Sequence, residues 1–201
     1  MKMKSIFNKK YILDGLLIVF SVLFALFINN LAETVKKNNK KEIAIDNIRK
    51  ELIGNVKILE AWNTYHVEVR NTIKNIIEGK NKPLKEALLK RNFLDLGLLT
   101  NGKNLINSTI SKTAWDTAKA TGIISEFDFT TTQKLTEVYA LHEILMDKTL
   151  FKLLDYLYDP MAHDMANIDA ILIQLQLRFR ELAGQEHVLI GLCEETLDEI
   201  K

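Results

Sequence analysis

The sequence predicts an all-α protein, in which an N-terminal transmembrane helix runs into a long helix and is followed by an antiparallel helical bundle of about four main helices. Three observations predict this class. The 201 residues include only 8 Gly and 2 Pro, so few breakers interrupt helical stretches. Residues 11–28 are almost wholly apolar. After this run, apolar residues recur three and four positions apart, which is the spacing of one helix face.

The apolar run has the length of a membrane span. As a helix at ~1.5 Å per residue it measures about 27 Å, close to a hydrocarbon core of ~30 Å. Its Leu, Ile, Val and Phe residues favour insertion by roughly 4 to 8 kcal/mol, against a cost of at most about 3.5 kcal/mol for Asp14. We therefore expect a transmembrane helix over residues 11–30. The expected membrane-anchoring residues are Tyr11, Asp14, Leu16, Phe20, Phe24 and Phe27.

A cleaved export signal and a buried core helix explain the run less well. A cut after Ala32 would place Asn30 at a position where signal cleavage requires a small residue. A core helix normally carries a polar face, whereas Ser21 is the only polar residue between Gly15 and Ile28. We therefore expect the anchor to be retained in the mature chain.

Asp14 lies near one end of the span, and two roles are open for it. In the structural role it pairs with Lys10, one helical turn earlier, and reaches the headgroup layer. In the functional role it is an intramembrane charge that pairs between subunits or senses ions. We favour the structural role, because the cost of a charge in a membrane depends on its depth.

Lysines flank the span on both sides and bear on its orientation. Four of them lie in the tail of residues 1–10, and four more lie between residues 36 and 41. A short tail with four lysines is difficult to translocate, so we favour a cytoplasmic N-terminus and a periplasmic or extracytoplasmic domain. The expected organisation is a basic tail (1–10), a transmembrane helix (11–30), a long juxtamembrane helix (31–79) and the helices that complete the bundle (80–201).

A heptad-like apolar seam follows the span. Two interpretations of it are open: a coiled coil between chains, or one face of an intramolecular bundle with Asn55 and His66 at its edge. We favour the second, because further amphipathic helices follow that can cover the seam. The seam residues are Ile45, Ile48, Leu52, Asn55, Leu59, Trp62, His66, Val69, Ile73 and Ile76.

Turn and cap signals divide the remainder of the chain. They predict two short helices, with a loop over 97–111 between them, then two long helices, the last of which is loosened or kinked near Gly184. Trp115 is expected to anchor the second short helix in the core. The expected boundary residues are Gly79 and Pro83, Asn101 and Gly102, Ser111 and Gly122, Thr130 to Thr132, and Asp159 and Pro160.

The sequence contains no recognisable catalytic, nucleotide-binding or zinc-binding motif, so we expect no enzymatic activity, cofactor or metal. Asp155, Asp159 and His163 are four positions apart, but Pro160 breaks the helix between them, and Asp159 is better placed as a cap. The 27 basic and 26 acidic residues are intermixed, which argues against a nucleic-acid partner. Cys193 is the only cysteine, so an internal disulfide is excluded.

Several short motifs resemble those of a family of bacterial single-pass membrane proteins, whose members share a domain of unknown function found in Bacteroidota. They are YILDGLLIVFSVLFALFINN, the following NNLAE, TAWDTAKATGII and LTEVYAL. Family members carry NNWNE after the membrane, and here Leu31 and Ala32 replace the tryptophan and the second asparagine. The resemblance implies an N-terminal anchor and a helical domain in a bacterial envelope, and it implies no catalytic residues.

These features predict a membrane-anchored helical interaction or scaffold protein. Its expected partners are the lipid bilayer and, through the helical domain, either a second copy of the chain or another protein. The alternative is a sensor or signalling component whose bundle binds a ligand and moves the anchor helix. A cavity lined by apolar and a few polar groups would favour the sensor.

Overall fold

The structure is a computed structural model that describes residues 9–200, with side chains described from Tyr11 onward. The described residues are 85% helical and contain no strand, which confirms the all-α class. Short turns of 3-10 helix precede α5 and α7, and π-helical residues join α5 to α6. The helices are α1 (Lys9–Ile77), α2 (Lys82–Leu89), α3 (Leu96–Thr100), α4 (Thr113–Ala120), α5 (Phe129–Glu143), α6 (Phe151–Tyr158) and α7 (Ile168–Glu199).

Helix α1 is a single helix of 69 residues, about 100 Å long at ~1.5 Å per residue. The apolar run therefore continues without a break into the juxtamembrane helix, as the sequence predicts. Residues 11–40 are exposed throughout, and in the part of the chain that the structure covers this is the one helix long and apolar enough to cross a membrane. The helix ends at Ile77, where Gly79 takes a positive φ of 72° that a residue with a side chain rarely adopts.

The distal half of α1 forms the centre of the bundle, and α7 packs antiparallel along it. Asn63 of α1 donates to the backbone oxygen of Ala183 at 2.6 Å, while Lys85, beyond the end of α1, pairs with Asp169 at the start of α7. The seam is thus covered within the chain, as the favoured interpretation predicts. Its buried members are Ile48, Leu52, Asn55, Leu59, Trp62, His66, Val69, Ile73 and Ile76, and Ile45 is half-buried.

The two polar residues of the seam lie elsewhere than expected. Asn55 is 3% exposed and His66 is fully buried, so neither lies at the edge of the packed face. The edge placement was wrong because each side chain has a polar partner inside the bundle, which removes the cost of burying it.

A short helix, α3, occupies part of the segment predicted as a loop. Leu99 within it is 1% exposed, so packing against the core supplies stability that five residues could not obtain from helix propensity alone. Asn101 and Gly102 follow with φ values of 52° and 72°, which confirms the predicted turn.

Two helix starts differ from the predicted caps. Lys112 rather than Ser111 precedes the first residue of α4, and the Ser111 hydroxyl accepts a bond from the backbone nitrogen of Thr113. Asp128 rather than Thr130 to Thr132 caps α5, where its carboxylate accepts from the Thr131 nitrogen at 2.9 Å. An ionised carboxylate is the stronger acceptor at the positive end of a helix.

The long helix predicted after the threonines is divided by π-helical residues Ile144–Leu150 between α5 and α6. The wider π turn contains one extra residue, which rotates the side chains that follow it around the helix axis. As a result Leu150 is buried at 3% exposure, while Thr149 is only half-buried and donates to Gln185 at 2.7 Å. Core packing therefore selects the π turn.

The last helix starts later than predicted and has no break. Asp159 accepts from the backbone nitrogen of Met161 at 2.8 Å with Pro160 beside it, which confirms the predicted cap, but two 3-10 turns follow before α7 begins. The predicted loosening at Gly184 is wrong, because α7 runs from Ile168 to Glu199 without interruption.

Burial of Cys193 gives a direct test of this fold. The side chain is 1% exposed and burial raises the pKa of its thiol to about 12, so the folded protein should resist iodoacetamide and react fully once unfolded in urea. A Thr136→Cys variant adds a thiol at an exposed site of α5, and it should show one fast and one protected thiol by mass spectrometry. Equal rates at both positions would contradict the fold.

Candidate functional site

An open cleft of about 760 Å³ lies between α1 and α4, at the end of the bundle closer to the apolar run. The N-terminus of α4 contacts Glu51 of α1, and Glu126, beyond its C-terminus, pairs with Lys37. Helix α4 therefore runs back along α1 towards the apolar run. The cleft is lined by Lys37, Lys40, Ile43, Ala44, Asn47, Glu51, Thr113, Ala114, Thr117, Ala118, Thr121, Gly122, Ile123 and Glu126.

The two ends of the cleft differ in character. Ile43 is 55% exposed along its floor, beside small residues of α4 that leave the space open. At the end closer to the apolar run, Lys37 lies 3.5 Å from Glu126. Lys40 is exposed beside it and forms no ion pair with any residue that the structure describes. The cleft therefore has an apolar body and a basic mouth.

Glu51 closes the other end of the cleft. One oxygen accepts from the Ser111 hydroxyl and from the Ala114 backbone nitrogen, each at 2.8 Å. The second oxygen accepts from the Tyr139 hydroxyl at 2.7 Å and from the Trp115 nitrogen at 3.5 Å. A residue from α1 thus caps α4 across the fold, where the N-cap residue Lys112 provides no side-chain bond of its own.

Aromatic and amide groups reinforce this junction. Trp115, the expected core anchor, is 5% exposed and its ring stacks on Tyr139 with centroids 5.2 Å apart. Burial raises the pKa of the Tyr139 phenol well above its ordinary value, which keeps its proton available to Glu51. Asn55 donates to the Ser111 oxygen at 2.6 Å and accepts from its nitrogen at 2.7 Å. The seam amide therefore positions the start of α4 within one chain.

A second polar cluster joins α1 to α7 deeper in the bundle. His66 Nδ1 lies 2.6 Å from Glu186 Oε1, and both side chains are fully buried. His66 Nε2 lies 3.0 Å from the backbone oxygen of Leu105. A carbonyl oxygen can only accept, so Nε2 must donate its proton to Leu105. A second proton must then lie between Nδ1 and Glu186. Burial raises the pKa of Glu186, and the bond to His66 opposes this shift only in part.

The other residues singled out in the sequence do not converge on a reactive site. His163 bonds the Leu157 oxygen at 2.9 Å, and Asp159 serves as a cap, so neither is placed with Asp155 to bind a metal. No group of three or more metal-ligating side chains occurs among the residues described. His142 is buried beside Tyr139, and burial lowers its pKa.

The expected anchor residues are all exposed. Phe20 and Phe24 stack on each other with ring centroids 6.1 Å apart. The Lys10 side chain lies outside the described residues, so the proposed pairing of Asp14 with it stays a prediction. The exposed anchor residues are Tyr11, Asp14, Leu16, Phe20, Phe24 and Phe27.

Comparisons of the chain with protein-family models, with curated proteins and with solved structures found no match. The apolar run, the cleft and the two polar clusters are therefore the features that bear on function. Sequence reasoning did not find the cleft or the role of Glu51. No sequence pattern distinguishes Glu51 from Glu60, an exposed glutamate of the same helix.

Removal of the Glu51 carboxylate should destabilise α4. We expect Glu51→Ala to lower the free energy of unfolding by about 2 kcal/mol or more, because two backbone nitrogens and two hydroxyls lose their acceptor. Alkylation of Cys193 along a urea series measures this change. Glu60→Ala is the matched control and should alter stability by less than about 0.5 kcal/mol. Equal effects of both substitutions would contradict the capping role.

The His66–Glu186 pair should make stability depend on pH. The pKa of Glu186 is raised in the folded protein, so folded Glu186 keeps a proton that the unfolded chain releases above pH 4.5. The free energy of unfolding should therefore fall as the pH rises through the raised pKa. Glu186→Gln removes this titration and should flatten that part of the curve. Urea unfolding of both proteins over a pH series measures it, and parallel curves would contradict a proton held by this pair.

Proposed function

We propose that this chain is a membrane-anchored helical interaction protein. The apolar part of α1 spans the bilayer, and the bundle built around the rest of α1 presents a binding surface next to it. The observation that carries this proposal is the unbroken course of α1 from Lys9 to Ile77, since one rigid element contains both the apolar run and the centre of the core.

The geometry supports a binding surface other than the heptad seam. The seam is covered by α7 and the helices around it, so a coiled coil with a second copy would require the bundle to open. The cleft between α1 and α4 is open and mostly apolar. A cleft of this size lies within the range of ~300–1,000 Å³ that is usual for ligand sites.

We place the protein in the envelope of a bacterium, with the bundle on the outer side of the cytoplasmic membrane. The resemblance of the span, NNLAE and TAWDTAKATGII to bacterial single-pass proteins supports the first part. The four lysines of the tail support the second, because a short basic tail is retained on the cytoplasmic side.

A second candidate function is a sensor, and the position of the cleft favours it. One wall of the cleft is α1 itself, from Lys37 to Glu51. A ligand held there would contact the same helix that enters the membrane. It could therefore move the anchor, provided that two packings of α1 against α4 are close in energy.

Fractionation of cells tests the proposal. The full-length chain should stay in the membrane pellet after carbonate washing and leave it in detergent, because residues 11–28 are held by the hydrocarbon core. External protease should digest the bundle in spheroplasts but spare a cytoplasmic control protein. A variant with Leu17→Arg and Phe24→Arg should be found largely in the soluble fraction. Recovery of the unmodified chain in the supernatant would refute the proposal.

A further inference from the structure

We propose that the cleft between α1 and α4 binds a single-chain anionic amphiphile, with the charged group at Lys37 and Lys40 and the alkyl chain along the floor towards Glu51. This ligand class deepens the proposed interaction function and uses its site. The carboxylate and phosphate forms, a free fatty acid or a membrane-derived lipid, share this chemistry.

The shape and charge of the cleft match such a molecule. Between Lys37 and Glu51 it follows α1 for about 20 Å at ~1.5 Å per residue. One positive charge is left uncompensated at one end, because Lys37 pairs with Glu126 whereas Lys40 has no acidic partner among the described residues. The floor beyond it is formed by Ile43 and Ala44. A charged head and an apolar body are the two parts of an amphiphile.

Several polar side chains along the walls form hydrogen bonds within the protein, whereas those of Asn47 and Thr117 form none with the described residues. Glu51 accepts four hydrogen bonds from α4 and its neighbours, so it is not free for a ligand. The Thr121 hydroxyl donates to the Thr117 oxygen at 2.8 Å, and the Thr113 hydroxyl lies 3.2 Å from the Ser111 hydroxyl. Along the apolar stretch at Ile43, Ala44 and Ile123 a peptide or sugar would lose hydrogen bonds to water without replacing them, whereas an alkyl chain loses none.

The lysine end of the cleft is the end nearer the apolar run, and it would stand clear of a bilayer spanned by that run. Lys37 follows the last apolar residue of the span, Ile28, by about 13 Å of helix at ~1.5 Å per residue. The headgroup layer extends only ~5–8 Å beyond the hydrocarbon. A two-chain lipid seated in the bilayer would therefore not fill the cleft, and the occupant must be a molecule whose chain can leave the membrane.

Photo-crosslinking tests this site. The full chain is reconstituted in vesicles of neutral phosphatidylcholine, and palmitate with a diazirine near its methyl end is added and irradiated. Labelled peptides are identified by mass spectrometry. We expect label within residues 43–51 and 113–123, in addition to any in the span. Label confined to residues 11–30 would overturn the proposal.

Two pairs of variants provide the controls. Thr117→Trp fills the cleft and should reduce cleft labelling at least fivefold, whereas Thr136→Trp, at an exposed site of α5, should leave it unchanged. Lys40→Glu should reduce it several-fold, and Lys57→Glu, exposed on the same helix, should not. Protection of Cys193 from alkylation verifies that each variant folds. Equal labelling within either pair would overturn the proposal.

Two further probes define the ligand. A diazirine analogue of hexadecanol has the same chain without the charge, and labelling as strong as that by palmitate would refute an anionic site. A diazirine lysophosphatidic acid tests the phosphate form: labelling by it points to a membrane source, and labelling by palmitate alone points to a free fatty acid. Loss of cleft labelling in a chain that still pellets with membranes would reject the ligand but not the anchored interaction protein.

Discussion

The unbroken α1 helix is the constraint on which the rest of the structure depends. Its first part has an apolar surface that no other described element covers, and its second part is the helix around which the bundle packs. Because no turn separates the two parts, the direction of the bundle follows from that of the apolar part of α1. The cleft, the polar clusters and the antiparallel α7 all take their positions from this one element.

Buried polar groups determine how the other segments dock on α1. Asn55 and Glu51 hold the start of α4, and His66 holds both α7, through Glu186, and the segment that contains Leu105. A buried polar group without a partner is costly, so each of these bonds disfavours alternative packings more than it adds net stability. Apolar packing brings the helices together, and these residues select their register.

The cleft follows from the same arrangement. Helix α4 is short and presents small side chains to α1, so the two helices meet at Glu51 and leave a gap towards Lys37. Since that gap borders the helix that carries the apolar run, an occupant of the gap would contact the same element that the proposed function places in the membrane. This connection links the interaction and sensor functions, which differ only in whether an occupant alters the packing of α1.

The sequence by itself determined the features that depend on neighbouring residues. The apolar run and the apolar spacing after it defined the exposed part of α1 and the seam, and the turns at Gly79, Asn101 and Gly122 followed from glycine and asparagine chemistry. Only the tertiary structure decided the capping of α4 by Glu51, the π turn that buries Leu150 and the pairing of His66 with Glu186. The capping and the pairing join residues 63 and 120 positions apart, and the π turn is selected by the core that those contacts build. Local rules specify which residues prefer burial, whereas the folded chain specifies which partner each one meets.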